Sequence, residues 1–268
     1  MSGGLHSVSA LRGTAPVPME LASVTLLTAW FCPFAQRARI ALEEKGIGYE
    51  AVESLEVVGD GYKKNPDLLQ YNPSGLVPVL IHRYDPDQPP FVCPESMVIV
   101  DYVDEAWPGN RTSFMPLDPR ERARCRLASL NIAKKIVPTF YKMLVRQDPA
   151  VQETAKDELL EGLLTFSKGL PEDGPFFLGE RFSGVDILLA PWALRMFLLK
   201  HFRGFEVPAD GPFAKYLRWF NAIRHRPSVK ATIADDDKLI AMYQRYAAGS
   251  AETKVADAVR RGESVANV

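Results

Sequence analysis

Cys32 is the residue of this chain whose position best suits chemistry. It follows a short apolar, strand-like run and precedes Pro33, which begins a predicted helix that ends at Gly46. Proline suits a first helical position, because its missing N–H would have no partner within the helix there. Free backbone N–H groups and the positive end of the helix dipole stabilise a thiolate at such a place. We therefore predict a nucleophilic thiol with a lowered pKa; the alternative is a cysteine that only packs in the core.

The predicted nucleophile is a single thiol. Ala35 stands where a C-x-x-C motif would carry its second cysteine. A dithiol–disulfide cycle within the motif is therefore excluded, and a mixed disulfide at Cys32 needs an external thiol to resolve it. Arg37 and Arg39 add positive charge on the same helix. The chemistry predicted here is thiol exchange that depends on an external thiol.

No other residue pattern indicates a catalytic or metal centre. The four histidines are scattered and show neither metal-ligand spacing nor a nucleophile–base arrangement. They are His6, His82, His201 and His225. We expect no metal.

Composition narrows the classes of protein further. The 268 residues are 47% hydrophobic, enough for two domains of ordinary size. A formal net charge of -1 does not indicate a nucleic-acid or acidic-lipid partner. Three cysteines, Cys32, Cys93 and Cys125, give no disulfide framework, which predicts a reducing, cytoplasmic location. No apolar run reaches the roughly 20 residues of a membrane helix, so we expect no stable membrane insertion.

The first half of the chain predicts a compact α/β unit. Its elements follow the order β-α-β-α-β-β-α, which is typical of a sheet covered by helices. After the helix at Cys32 we predict a strand at Tyr49–Leu55, a loop at Gly59–Pro66, a short helix at Pro66–Tyr71, a β-like run at Leu76–Ile81, a short strand at Phe91–Cys93 and a helix at Met97–Ala106. Pro78 interrupts the β-like run, and we interpret it as the site of a cis peptide bond.

The second half predicts helices only. They run roughly over 118–146, 151–169, 184–203, 212–225 and 235–248, and Pro138 is expected to kink or divide the first. Ser183 and Asp186 form a capping signature with a structural role. The tail 249–268 has few large apolar residues and is expected to be helical or disordered, and residues 1–21 are expected to be a flexible extension.

A thioredoxin-like α/β domain followed by an all-α helical domain resembles the soluble glutathione transferases. The resemblance extends from about Ser23 to about Ala248 and implies a glutathione-binding domain at 22–109 and a helical domain at 118–248. The stretch Cys32–Arg37 resembles the omega class, which uses a cysteine where most classes use tyrosine or serine. The stretches Lys45–Ile47, Asn72–Leu80 and Tyr102–Pro108 are also similar to that class.

This resemblance implies a catalytic role for Cys32 and a set of glutathione-binding residues. The Val77–Pro78 turn would leave the Val77 backbone free to pair with the bound tripeptide. Ser96 would hold the γ-glutamyl carboxylate, and Glu95 would receive the ammonium group. The alternative for this pair is a capped helix beside an exposed acid.

Four further site residues are implied, and for some of them a purely structural role is the alternative. Lys64 would contact the glycyl carboxylate, although Lys63 beside it could do so, or either could be a solvated loop lysine. Phe34 would pack beside glutathione or simply in the core. Tyr141 and Trp192 are assigned to an electrophile pocket between the domains.

The resemblance implies a glutathione-dependent thiol transferase or reductase. Cys32 would remove glutathione from a mixed disulfide or a small hydrophobic conjugate, or support dehydroascorbate-type reduction, and the protein would be a homodimer. One alternative is a transferase that conjugates glutathione to an electrophilic metabolite in biosynthesis or detoxification. Another is a binding protein like the chloride intracellular channels, which Ala35 disfavours because a serine is expected there.

Overall fold

The computed structural model describes residues 23–85, 87–109 and 113–265, so the predicted extension 1–21 lies outside the described residues. The strands are β1 (Ser23–Thr28), β2 (Glu50–Glu53), β3 (Leu55–Val58), β4 (Gly61–Lys64), β5 (Val79–Arg83) and β6 (Phe91–Pro94). The helices are α1 (Pro33–Lys45), α2 (Pro66–Tyr71), α3 (Ser96–Ala106), α4 (Pro119–Asn131), α5 (Val137–Val145), α6 (Pro149–Gly169), α7 (Gly184–Ala193), α8 (Met196–Arg203), α9 (Ala214–His225), α10 (Pro227–Lys230), α11 (Asp236–Ala247) and α12 (Lys254–Arg260).

The first domain is built on a four-stranded sheet in the order β2-β1-β5-β6. Strand β1 is parallel to β2 and antiparallel to β5, and β5 is antiparallel to β6. Leu26 pairs with Leu80, and both are completely buried. The predicted fold class, a thioredoxin-like α/β domain followed by a helical domain, is confirmed.

The segment predicted as a polar loop is instead a β-hairpin. Strands β3 and β4 pair antiparallel around a tight turn at Gly59 and Asp60, where Gly59 has a φ of 57° that a side chain would disfavour. The hairpin contacts distant parts of the chain, because Arg245 donates to the carbonyls of Gly59 and Gly61 at 3.1 Å each. The residues near the hairpin in sequence give no sign of this long-range contact. The local pattern therefore predicted a loop rather than a hairpin.

The predicted helix 118–146 is divided before Pro138, as expected from that residue. A π-helical turn, Ile132–Ile136, separates α4 from α5 and places Pro138 in the first turn of α5, where its missing N–H is tolerated. The hydroxyl of Thr139 donates to the Lys135 and Ile136 carbonyls at 2.5 and 3.0 Å. Thr139 therefore adds side-chain hydrogen bonds to the junction between α4 and α5.

The predicted helix 184–203 is also two helices, α7 and α8, which meet at Arg195. Arg195 leaves helical geometry, with φ and ψ of -102° and 3°, and its guanidinium turns back to the Pro191 carbonyl at 2.8 Å. The prediction of one continuous helix was wrong, because Arg195 is held by residues of the other domain.

The C-terminal tail contains a helix, α12, that packs against α5. Thr253 caps it by accepting a hydrogen bond from the Ala256 N–H at 3.1 Å, and Val259 and Val265 are buried. Arg260 donates to the carbonyls of Gly249 and Ala251. The tail is therefore an ordered part of the helical domain over its described residues.

The two domains are joined along α1 by buried polar contacts. Glu44 of α1 accepts from Arg226 at 2.5 and 2.9 Å and from the Ser228 hydroxyl at 2.5 Å. Gln36 donates to Thr232 at 3.1 Å. These charge-assisted bonds fix α1, and with it Cys32, against the helical domain.

Asp186 is the anchor of α7. Its carboxylate is fully buried and accepts from Ser183 and Phe177 backbone N–H groups, the Ser183 hydroxyl and the Trp219 indole N–H, at 2.6 to 2.9 Å. The reciprocal cap predicted for Ser183 and Asp186 is present. Since α7 packs on α1, this anchor also supports the wall behind Cys32.

We predict that Asp186→Ala lowers the free energy of unfolding by about 3 kcal/mol or more, because it leaves several buried donors without an acceptor. Urea denaturation followed by circular dichroism measures the change. Asp157→Ala, which removes an exposed carboxylate of α6, is the control and should change stability by about 0.5 kcal/mol or less. Equal effects of the two substitutions would contradict an anchoring role.

Candidate active site

Cys32 lies at the N-terminus of α1, half-buried at the point where the extended chain turns into the helix. It is the N-cap residue, with φ and ψ of -79° and 119°, and its carbonyl accepts from the Gln36 N–H at 3.0 Å. The backbone N–H groups of Phe34 and Ala35 at this terminus favour the thiolate and act to lower the pKa of Cys32. The sequence-predicted geometry of a thiol at a helix N-terminus is therefore present.

The predicted lowering of the thiol pKa was wrong in sign. Burial raises the pKa of Cys32 above its ordinary value, and this effect outweighs the backbone hydrogen bonds and the nearby guanidinium groups of Arg195 and Arg37, which lower it. The sequence showed the helix terminus but could not show how far the second domain would remove the sulfur from water.

Arg195 holds the loop that carries Cys32. It is 2% exposed, and it donates to the Phe31 carbonyl at 3.1 Å and to the Gln36 side-chain oxygen at 2.5 Å. The hydroxyl of Tyr243 donates to the same Phe31 carbonyl at 3.3 Å. Two residues of the helical domain therefore position the residue that precedes Cys32.

Cys32 opens into a cavity of about 280 Å³ between the domains. Its aromatic lining comes from both domains: Phe31, Phe34, Tyr62, Tyr141, Tyr243 and Tyr246. A largely apolar cavity of this kind suits a small organic ligand. Tyr141, assigned to the electrophile pocket from sequence, lines this cavity.

A second cavity, of about 160 Å³, lies next to the first and shares Phe34 and Val77 with it as lining residues. The peptide bond between Val77 and Pro78 is cis, as predicted, and the Val77 backbone forms no hydrogen bond with the described residues. Glu95 and Ser96 line the same cavity at the start of α3. Glu95 has a φ of 72°, the only positive φ among the described non-glycine residues, and such strain is typical of functional sites.

Lys64 lines the Cys32 cavity, whereas Lys63 points away. Lys63 is exposed and forms an ion pair with Glu56 at 3.5 Å. Gly75 makes room for Lys64, because a Cβ at Gly75 would lie 2.3 Å from the Lys64 ammonium nitrogen. Of the two lysines considered from sequence, the structure brings Lys64 to the site.

Trp192 does not reach the cavity wall. Its ring is completely buried, with the Arg37 guanidinium 4.3 Å above its centroid and the Phe34 ring edge-on at 4.8 Å. The assignment of Trp192 to the electrophile pocket is therefore corrected: it supports Phe34 and Arg37 from behind.

The outer wall of the Cys32 cavity was not predicted from sequence. The tail contributes a run of side chains to it: Glu252, Thr253, Lys254, Val255 and Asp257. The hairpin contributes Tyr62, whose ring stacks on Phe31 with centroids 5.2 Å apart and whose hydroxyl lies 3.2 Å from that of Tyr246. Hydrophobic periodicity was too weak in both segments to signal this role.

The described residues were also compared with the requirements of a metal site and of a membrane-spanning helix. Residues 23–85, 87–109 and 113–265 contain no group of three or more histidine, cysteine, aspartate or glutamate side chains placed to hold a metal ion. Over the same residues, no helix combines the length and the apolar character needed to cross a bilayer.

Comparison with known proteins identifies the family of this architecture. Residues 31–106 match the family model of the glutathione S-transferase N-terminal domain, and residues 149–222 match that of the C-terminal domain. The probable glutathione S-transferase parC of Nicotiana tabacum is 35% identical over 218 residues, covering 81% of this chain and 92% of that protein.

Solved structures with this fold include members of two classes. The crystal structure of glutathione transferase Omega 3C from Trametes versicolor superposes with a TM-score of 0.73 at 35% identity, covering 86% of this chain and 93% of that one. The Tau-class glutathione S-transferase of mango, Mangifera indica, also has a TM-score of 0.73, at 29% identity, covering 84% of this chain and 98% of that one. Both classes are therefore represented at the same structural similarity.

We predict that alkylation of Cys32 by iodoacetamide titrates at higher pH in the folded protein than in the unfolded chain. Burial raises the pKa of Cys32, and alkylation requires the thiolate. The alkylation rate is measured by mass spectrometry from pH 6 to 11 and should rise with pH. In urea, the midpoint of this rise should move down to a pH of about 8.5. The Cys32→Ser variant is the control, because any alkylation that it shows comes from Cys93 or Cys125. A folded-state inflection below that of the unfolded chain would refute the assignment.

Proposed function

The chain belongs to the glutathione S-transferase family, and we propose that it is a glutathione-dependent thiol transferase of omega type with Cys32 as nucleophile. Members of the family use glutathione as co-substrate. The finer proposal is carried by one observation: a cysteine sulfur lies at the N-terminus of α1, where the Phe34 and Ala35 N–H groups lower its pKa, and it faces an interdomain cavity. That arrangement suits a sulfur that alternates between thiolate and disulfide.

Glutathione would occupy both connected cavities. The Val77 backbone would pair with the cysteinyl part of the tripeptide, beside Phe34. Glu95 and Ser96 would hold the γ-glutamyl end, and Lys64 the glycyl carboxylate. This placement leaves the aromatic space near Tyr141 for the second substrate, a small hydrophobic conjugate or mixed disulfide.

The reaction would proceed by two thiol exchanges. The Cys32 thiolate attacks the glutathionyl sulfur of a mixed disulfide, forming the Cys32–glutathione disulfide and releasing the substrate thiolate. A second glutathione thiolate then attacks the glutathionyl sulfur of this disulfide, which regenerates Cys32 and releases glutathione disulfide. With a carbon conjugate, the C–S electron pair goes to carbon, which takes a proton, so the substrate is reduced.

The raised pKa of Cys32 has two opposing consequences for this reaction. Less thiolate is present at neutral pH, but a thiolate of higher pKa is intrinsically more nucleophilic. The Phe34 and Ala35 N–H groups stabilise the anion once it forms. We therefore expect thiol transfer to accelerate as the pH rises toward the pKa of Cys32.

Conjugation of glutathione to an electrophile is the second candidate, and the same raised pKa favours it. A Cys32 that keeps its proton can donate a hydrogen bond to a glutathione thiolate instead of forming a disulfide with it. The mango structure of similar fold is a Tau-class transferase. No observation favours the channel-like alternative.

We also propose a reducing location, such as the cytoplasm. All three cysteines are free, and Cys32, Cys93 and Cys125 form no disulfide. The proposed cycle consumes reduced glutathione, which a reducing compartment supplies.

We predict that the wild-type protein, incubated with glutathione disulfide, gains one glutathione at Cys32, and that reduced glutathione removes it. Peptide mass spectrometry locates the adduct. Cys32→Ser should lose the adduct and nearly all thiol transfer to a glutathionylated disulfide substrate, because serine cannot form the mixed disulfide. Cys93→Ser, at a buried thiol, is the control and should retain both.

The same two variants separate the candidate functions. Conjugation is measured with 1-chloro-2,4-dinitrobenzene. If Cys32→Ser keeps or gains conjugation while the wild-type protein forms no adduct, the conjugating function replaces thiol transfer.

We further propose a homodimer through the face formed by α3 and α4. Leu127 and Leu130 of α4 are 68% and 47% exposed, which is unusual for neighbouring leucines on a helix. Asp101 lies on the α3 side of the groove between the helices, and Arg122 and Arg126 lie on the α4 side. A second copy related by a twofold axis would place acids against arginines and bury the leucines.

We predict that Leu127→Glu shifts the protein from dimer to monomer, because the charge would be buried in the interface. Light scattering coupled to size-exclusion chromatography measures the mass. Ile233→Glu, at a 43% exposed site elsewhere on the helical domain, is the control. A wild-type monomer, or a dimer unaffected by Leu127→Glu, would contradict this interface.

A further inference from the structure

A further cavity, of about 400 Å³, lies in the helical domain and shares no lining residue with the two cavities near Cys32. A space of this size falls within the roughly 300–1,000 Å³ of small-molecule sites. Its apolar wall comes from α8, α9 and the segments between the helices: Phe197, Phe205, Val207, Leu217, Phe220 and Ile233. The wall therefore suits a ligand with an aromatic body.

Two buried hydrogen-bond donors line this cavity without an acceptor. Tyr216 is 2% exposed and its ring stacks on Phe220, yet its hydroxyl hydrogen-bonds to none of the described residues. Arg195 is also 2% exposed, and its Nε has no partner in the described part of the chain. Buried polar groups are normally satisfied, so these donors call for an acceptor that a ligand can bring.

The unpaired charge around the cavity is mainly positive. Within residues 23–85, 87–109 and 113–265, no carboxylate forms an ion pair with Arg195 or with Arg224, which is exposed at the same cavity. Lys200 and Glu206 form an ion pair and neutralise each other. The other lining acid, Asp236, lies in the first turn of α11, where the helix dipole offsets its charge. A buried cation without a counter-ion favours an anion.

We propose that this cavity is a second ligand site, for a small aromatic acid in its anionic form, and that its occupant acts on Cys32 through Arg195. The aromatic body would pack among the phenylalanine rings. The anionic group would accept from the Tyr216 hydroxyl and supply the counter-charge that Arg195 lacks. This proposal goes beyond the proposed function and does not depend on it, because neither glutathione nor thiol transfer enters it.

Arg195 connects this cavity to Cys32. It lines the cavity, as does Gln36, and it donates to the Gln36 side-chain oxygen and to the Phe31 carbonyl next to Cys32. Its guanidinium also acts to lower the pKa of Cys32. An anion beside Arg195 would offset that positive charge and leave less Cys32 thiolate at a given pH. The bound acid would therefore slow reactions of Cys32.

The first test measures the binding of two fluorescent probes that have the same rings. The probe 1-anilinonaphthalene-8-sulfonate carries an anionic group, whereas N-phenyl-1-naphthylamine lacks it. Fluorescence titration gives both dissociation constants. We expect Tyr216→Phe, which removes only the unpaired hydroxyl, to weaken the sulfonate probe about tenfold, as for loss of a hydrogen bond to a charged group, and the uncharged probe less than about twofold.

Three matched variants locate the bound probe, and circular dichroism checks that each is folded. Arg224→Met should weaken the sulfonate probe alone. Arg218→Met, at another exposed arginine of α9 that does not line the cavity, should leave both constants unchanged. Tyr141→Phe removes a hydroxyl from the Cys32 cavity instead and should also leave both constants unchanged.

Three results would overturn the second site. The first is no saturable binding of the sulfonate probe. The second is weaker binding to Tyr141→Phe but not to Tyr216→Phe, which would place the probe in the Cys32 cavity. The third is an equal loss of both probes in Tyr216→Phe, which would mean that the hydroxyl does not recognise the anion.

The second test measures alkylation of Cys32 by iodoacetamide at constant pH with each probe at saturation. The sulfonate probe should slow alkylation about threefold or more, because two anions close to one guanidinium repel each other in the protein interior. The uncharged probe should leave the rate unchanged. Equal slowing by both probes would indicate steric blockage at Cys32, and an unchanged rate with both would show that Arg195 transmits nothing. Either result would overturn the action on Cys32.

Discussion

The site depends on Arg195, whose buried guanidinium joins the two domains at the loop before Cys32. A buried cation is costly unless its donors find acceptors. The two Nη atoms of Arg195 find theirs in the Phe31 carbonyl and the Gln36 side chain of the other domain, while its Nε has no partner among the described residues. Docking of the domains and positioning of Cys32 are therefore one event. The break between α7 and α8 follows from the same constraint, because Arg195 must leave the helix to make these contacts.

Burial of Cys32 decides how readily its thiol loses a proton. Burial raises the pKa of Cys32, while the Phe34 and Ala35 N–H groups and two guanidinium groups oppose the shift. The balance leaves a thiol that is protonated at neutral pH yet surrounded by groups ready to stabilise its anion. A protonated Cys32 suits conjugation, whereas a stabilised Cys32 thiolate suits thiol transfer.

Sequence predicted the elements whose signals are local. The cis bond at Pro78, the short helix at Pro66–Tyr71 and the cap by Ser183 and Asp186 each depend on a few adjacent residues, and each is confirmed. Sequence could not predict the position of Trp192, because its distance from the cavity depends on how Phe34 and Arg37 pack over it. The sign of the Cys32 pKa shift failed for the same reason, since desolvation is a property of the assembled domains.

The β3–β4 hairpin, which was not predicted, contacts the C-terminal tail, for which a helix was one of the two expectations. The Glu252 N–H of the tail donates to the Asp60 carbonyl at 2.8 Å. Arg245 of α11, just before the tail, binds the hairpin turn and lies 4.6 Å from the Tyr62 ring centroid. Neither segment has a strong periodic pattern: the hairpin is held by contacts with distant residues, and α12 packs a few small and branched apolar residues against α5. Together they close the outer side of the Cys32 cavity. The reactive cysteine is thus encoded by a short local motif. The space for the second substrate is instead set by contacts between residues almost 200 positions apart. The chemistry could therefore be predicted from the sequence, whereas the shape of the substrate could not.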